Sequence, residues 1–213
     1  MNWQAAGCFC RLFNITHTQK GGYTMNDDVK IYKPSTNAAD QHDLGDILES
    51  VGKQRANGNV EKARELGKKL AEITPTGENS QIRIDLKSAL KPKFFAPTVL
   101  YQIMVVMIFA AEVALQLQLS SELLATTASN ALHDSLRNNR GDFYRNISDG
   151  AAFSFYYLAV KKGGDIERNI GEAFAMLCSV DDNESFIEAG QTVYRLTMEA
   201  ISAEIEAIGF ENI

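Results

Sequence analysis

The sequence predicts an all-α protein, with a helical hairpin near the N-terminus and a helical bundle behind it. Three observations carry this. Pro is scarce, at 4 of 213 residues, and Gly is moderate at 15, so long stretches run without a helix breaker. Apolar residues recur at i, i+3, i+4 and i+7 in one segment after another. No segment alternates with period two for long enough to make a strand.

Residues 1–24 stand apart from this pattern. They hold the only Trp (Trp3), two of the three Cys and no acid, and they show no sustained helical period. Arg11 and Asn14 interrupt their only apolar patch, Cys8 to Phe13, which rules out the h-region of a signal peptide. Lys20-Gly21-Gly22 can be encoded by AAA-GGA-GGT, which reads as a bacterial ribosome-binding site, with Tyr23 and Thr24 as its spacer. Met25 is therefore expected to be the native start in a bacterial gene. Residues 1–24 are then a translated leader, expected to be disordered, and a chain starting at Met25 should be as stable as the full one. Without Arg11 and Lys20 the formal charge moves from −6 to −8.

From residue 25 the elements read in order. Residues 25–42 are polar, include Pro34, and form a flexible lead-in. The hairpin occupies 43–75. Asp43 is expected as the N-cap of a first helix carrying Leu44, Ile47, Leu48 and Val51. Asn57-Gly58-Asn59 makes the turn, with Gly58 left-handed and Asn59 as the next N-cap. Val60, Ala63, Leu66, Leu70 and Ile73 form the stripe of the second helix, which Thr74-Pro75 stops. A connector covers 76–96, with a short helix from about Asn79 to Leu90.

The bundle covers 97–213. Pro97 opens a long helix in which Gln102 is the only polar side chain between Val99 and Ala111. A helix apolar all round must be enclosed, so it is placed at the centre of the bundle. A membrane span would need about 20 apolar residues, and this run ends sooner, at Glu112. The pattern breaks near Ser120-Ser121 and resumes through Leu123, Leu124, Ala128, Leu132 and Leu136. Three more helices follow, at about 142–162 (rich in aromatics), from Asp165 to near Asp181, and at about 184–208, ended by Gly209.

Gly58-Asn59-Val60-Glu61-Lys62-Ala63, followed by Pro75, resembles the turn, second-helix opening and closing Pro of a tetratricopeptide repeat. The resemblance covers 44–75 and implies a helix–turn–helix there, with a protein-binding role. The sequence departs from the pattern at Val51, where a small residue is usual, and at Gly67, where an aromatic is usual. A solenoid needs about three stacked repeats, and only a faint echo follows, at Gly164-Asp165-Ile166-Glu167-Arg168.

Charge bounds the partners. An acidic chain lacks the clustered bases that hold phosphates, so nucleic acid is not expected. From Asp165 to Ile213 the only bases are Arg168 and Arg195, against eleven acids. This acidic end is expected to be solvated, or to dock on Arg83, Lys87, Lys91 and Lys93, within one chain or between two. Three Cys (Cys8, Cys10 and Cys178) make no disulfide framework, which fits a reducing, cytoplasmic setting.

No motif assigns a catalytic, cofactor or metal residue. The residues three before His17, His42 and His133 are Asn14, Ala39 and Asn130, so the Glu-x-x-His pairs of di-iron bundles are missing. No zincin, nucleophile-elbow or phosphate-loop pattern occurs. Glu112 is the residue to watch, because a lone acid in an apolar helix must face water, find a partner or stay protonated. A polar end at His133, Asp134, Arg137 and Arg140 is a second place. Cys178 reads as a core residue. The leading expectation is a protein-interaction or self-association module. A small-ligand protein or enzyme built on Glu112, Tyr156 and Tyr157 is the alternative, and membrane association through 94–119 the third.

Overall fold

The computed structural model describes residues 38–73, 81–148 and 151–211. Among them are nine α-helices and one 3₁₀ turn, and no strand. The helices are α1 (Ala38–Ala56), α2 (Asn59–Ile73), α3 (Gln81–Ala89), α4 (Pro97–Gln118) and α5 (Glu122–Asn139). They continue with α6 (Gly141–Ser148), α7 (Ala152–Lys161), α8 (Ile166–Leu177) and α9 (Glu184–Ile208); the 3₁₀ turn is Pro92–Phe95. The protein is all-α, as its sequence predicts. The leader, most of the lead-in, Thr74-Pro75, residues 76–80 and the side chains of Leu44 and Ile47 lie outside the described residues.

The hairpin turn forms at Gly58, whose φ of +78° only glycine adopts without strain. Two expectations around it need correction. α1 covers Ala38–Ala56, so Asp43 falls inside the helix rather than at its N-cap. Asn59 does not cap α2. The Gly58 carbonyl accepts the first backbone bond, from Lys62 N–H at 3.1 Å, and Asn57 Oδ1 takes the Asn59 N–H at 3.2 Å. That frees the Asn59 side chain for the far end of the chain.

α2 packs chiefly on α5 rather than on α1. The two helices touch backbone to side at Gly67, where a Cβ would stand 2.1 Å from the Ala128 carbonyl oxygen. The aromatic that a tetratricopeptide repeat carries at this place has no room here. Ala63, Leu66 and Leu70 face the same core as the later helices.

α4 lies at the centre, against α9, α5, α7 and α8. Val105, Ile108 and Phe109 are 0, 1 and 3% exposed, so the chain itself encloses the helix. Among the described residues α4 is the one helix long and apolar enough to cross a membrane, and most of it is buried in the bundle. Ser121 ends the break after Leu119 by capping α5, its Oγ accepting the Leu124 N–H at 3.3 Å.

The single aromatic helix expected over 142–162 is in fact two, α6 and α7. Phe143 of α6 meets Tyr101 edge-on, and Phe153 and Tyr156 of α7 close over Phe109. Each of the two short helices thereby places a phenylalanine against α4. α8 starts at Asp165, whose carboxylate accepts the Arg168 N–H at 3.0 Å. It crosses α9 tightly, since a Cβ on Gly190 would lie 2.7 Å from Phe174 Cβ.

Candidate functional site

Two places in the bundle have geometry beyond simple packing. The first surrounds Glu112, which is mostly buried on α4 and faces α5. Ser129 Oγ donates to its carboxylate at 2.9 Å, and His133 Nε2 stands 3.0 Å from Oε1. Ser129 and His133 are one turn apart on α5, so both reach one carboxylate. The His133 ring meets Tyr144 edge-on at 5.7 Å, and its Nδ1 is buried with no hydrogen-bond partner among the described residues. The serine proton is directed at the carboxylate, not at the imidazole, so the hydroxyl is held as a donor rather than activated as a nucleophile. The cluster fastens α4 to α5.

The polar end read from the sequence divides at this point. His133 turns inward to Glu112, while Asp134 pairs with Arg137 at 3.2 Å on the surface. Arg137 also lies over the Tyr144 ring, 5.2 Å from its centroid. Arg140 ends α5, its N–H bonded to the Leu136 carbonyl at 2.8 Å. Tyr156 is fully buried on Phe109, its hydroxyl without a hydrogen-bond partner among the described residues, and Tyr157 is half-buried. Burial raises the Tyr156 hydroxyl well above the ordinary tyrosine value. Burial likewise pushes the Cys178 thiol up to about 11, so at neutral pH it is protonated and a poor nucleophile. No group of three or more potential metal ligands occurs among the described residues.

The second place is a groove of about 370 Å³ between α7 and α8. α7 contributes Phe155, Leu158, Ala159 and Lys162, a stripe spaced i, i+3, i+4, i+7. α8 contributes Asn169, Glu172, Ala173 and Met176 at the same spacing. Asp181, Asp182 and Ile187 close one end. The tight turn at 162–165 makes α7 and α8 antiparallel, so Phe155 and Met176 fall at the same end, beside the two aspartates. At the other end Asn169 Nδ2 donates to the Gly163 carbonyl at 2.7 Å and holds the turn.

The groove is apolar inside and acidic at the rim. Phe155, Leu158 and Met176 are 39, 58 and 38% exposed. Lys162 Nζ lies 3.4 Å from Glu172, which neutralises the one base. Asp181 and Asp182 have no ion pair among the described residues. Sequence reasoning missed this site, because apolar composition does not separate an exposed Phe155, Leu158 or Met176 from a core side chain. Their helical phase relative to Tyr156 and Phe174, both fully buried, is the signal that separates them.

The acidic end does not dock on Arg83, Lys87 or Lys91 within the chain, which corrects one expectation from the charge pattern. α3 packs on α9 with Ile82 and Leu86 buried, and Lys93 Nζ bonds the Ser185 hydroxyl at 2.9 Å. The bases that do meet the acidic end are two on α2, with Lys69 paired to Glu204 and Lys62 3.6 Å from Glu211, and Lys162 beside Glu172. Comparison with known protein families, with curated proteins and with solved structures finds no match to this chain.

Proposed function

We propose that this chain is a helical protein-interaction module whose docking surface is the groove between α7 and α8. One observation supports this above the rest. Five large hydrophobic side chains are exposed among the described residues, and three of them, Phe155, Leu158 and Met176, converge on this groove. Exposed apolar side chains scattered singly need no explanation, but a contiguous set rimmed by charge is the usual form of a docking surface. An aromatic, a leucine and an adaptable methionine between two helices suit the apolar face of a partner helix.

The test is selection from a displayed library of amphipathic helical peptides against the full chain. Enriched peptides should bind the wild-type protein and lose at least about tenfold in affinity for Leu158→Glu, a cost of about 1.4 kcal/mol. Leu158 is more than half exposed, so that variant keeps the fold, which circular dichroism checks. Failure to enrich any peptide, or enrichment of peptides indifferent to Leu158→Glu, removes the groove as the docking surface.

A further inference from the structure

The helix α3 has a second face. Ile82 and Leu86 are buried where α3 packs on α9, which turns Ile84 and Lys87 outward at i and i+3, and Lys91 follows, exposed, just beyond the helix end at Ala89. Ile84 is 48% exposed, a large apolar side chain with no covering element among the described residues. Beside it, Arg83, Lys87 and Lys91 form no ion pair among the described residues. α3 and the residues just after it thus carry Arg83, Lys87 and Lys91 against one acid, Asp85, with one outward apolar anchor. The groove has the opposite character: an apolar end formed by Phe155, Leu158 and Met176, next to Asp181 and Asp182.

We infer that the occupant of the groove is α3 of a second copy of this chain. The inference rests on the groove being a docking surface and names what fills it. Ile84 enters among Phe155, Leu158 and Met176, and Lys87 and Lys91 reach Asp181 and Asp182. The dimensions agree. Ile84 and Lys87 lie one turn apart on α3, a rise of about 4.5 Å, so an Ile84 seated at the Phe155–Met176 end keeps Lys87 beside Asp181 and Asp182, which lie at that same end. α3 cannot fill the groove of its own chain while its buried face stays on α9, so the contact runs between copies.

One short helix in a groove covers less than the roughly 800 Å² per partner of a stable interface. The association is therefore weak, in the micromolar range, and a two-fold arrangement strengthens it by forming the contact twice. Exposed charges on both faces make it sensitive to salt.

The experiment is sedimentation velocity of the full chain from about 1 to 200 μM, at low and at physiological salt. The expected result is association that rises with concentration and weakens with salt. Ile84→Glu and Leu158→Glu should each raise the dissociation constant at least about tenfold. The exposed-charge variants Lys87→Glu/Lys91→Glu and Asp181→Lys/Asp182→Lys should each be more monomeric than wild type. An equimolar mixture of the two should associate again, because the inverted helix then meets the inverted groove. A wild-type chain monomeric throughout overturns the inference, as does association that survives Ile84→Glu or a mixture that does not recover. A monomeric wild type leaves the groove itself intact if selected peptides still depend on Leu158. Peptides indifferent to Leu158 dismiss the groove whatever the oligomeric state.

Discussion

Asn59, in the first turn of α2, holds the main chain of Glu211 from both sides. Its Nδ2 donates to the Glu211 carbonyl at 2.8 Å, and its Oδ1 accepts the Glu211 N–H at 2.9 Å. The same Nδ2 donates to Gln54 Oε1 at 2.7 Å, and Asn59 is fully buried. Lys62 Nζ adds a bond to the Gly209 carbonyl at 2.9 Å. The segment after α9 is therefore clasped to the α1–α2 turn, across 152 residues of sequence.

Asn59→Ala removes the clasp and leaves a buried glutamine and a backbone amide without partners. Each such group costs about 1–3 kcal/mol, so we expect a loss of about 2–3 kcal/mol in urea unfolding. Truncation after Phe210 should cost less, because water then reaches Asn59. The two changes together should cost clearly less than their sum. Full additivity would mean that the clasp contributes nothing.

Two glycines in neighbouring helices should respond to alanine with opposite signs. Gly52 in α1 is exposed, and a Cβ added there meets nothing within 4 Å, so Gly52→Ala should stabilise by about 0.5–1 kcal/mol through helix propensity. Gly67→Ala places its Cβ against the Ala128 carbonyl and should separate α2 from α5, at a cost of about 3 kcal/mol or more. Thermal melts of both variants decide it. A tolerated Gly67→Ala would show that α2 and α5 are not so close.

These glycines also mark where the sequence stops being readable. The central place of α4 was legible, because a helix apolar all round admits only burial, and so was the break before Glu122, because Ser121 is a natural cap. The pairing of α2 with α5 was not. It depends on a small residue at one crossing point, Gly67 against Ala128, and periodicity reports which face is apolar but not which helix covers it. The split between α6 and α7 was hidden by aromatics that run on either side of it. Glu112 was legible as an anomaly, but its partner Ser129 carries no pattern, and His133 looked like part of a surface end. The exposure of Leu158 depends on what its neighbours leave uncovered, which no local pattern records.

The end of α8 holds a third prediction. Ser179 has φ +59°, with its N–H bonded to the Met176 carbonyl at 2.9 Å and the Val180 N–H bonded to the Ala175 carbonyl at 3.0 Å. This is a Schellman ending with serine at the place glycine usually takes. Ser179→Gly should relieve the left-handed strain and stabilise by about 0.5–1 kcal/mol, read as a raised unfolding midpoint. A lowered midpoint would show that serine contributes something there besides its backbone angle.

Alkaline pH should weaken the fold. Burial pushes Cys178 up to about 11 and Tyr194 to about 12, the latter helped by the charge of Glu167. In the unfolded chain both ionise near their ordinary values of 9.0 and 10.0. The folded state holds these protons more tightly, so the stability they confer is complete below pH 9 and is lost as pH rises through 11 and 12. Denaturant midpoints should be level from neutral pH to about 8.5 and fall above it. Cys178→Ala should flatten the first part of that fall, and an unchanged profile in this variant would rule out the thiol as a contributor.

The Glu112 cluster gives the last prediction, a choice between a fastening and a liability. Ser129 and His133 both aim donors at one carboxylate on α4, and removing that carboxylate strands them. Glu112→Ala should therefore cost about 2–4 kcal/mol, from lost packing and two unmet donors. Glu112→Gln keeps the shape and one acceptor oxygen and should cost about 1 kcal/mol. If the cluster acts as a unit, Glu112→Ala and His133→Ala should couple by about 1–2 kcal/mol in a double-mutant cycle. A polar cluster can still be worth no more than an apolar one of equal volume. The triple variant Glu112→Leu/Ser129→Ala/His133→Leu measures that, since it replaces every member at once. Stability near wild type for the triple variant, with each single variant impaired, would show that the carboxylate is kept to satisfy its neighbours and adds no net stability. A triple variant as unstable as Glu112→Ala would show that the hydrogen bonds themselves hold α4 on α5.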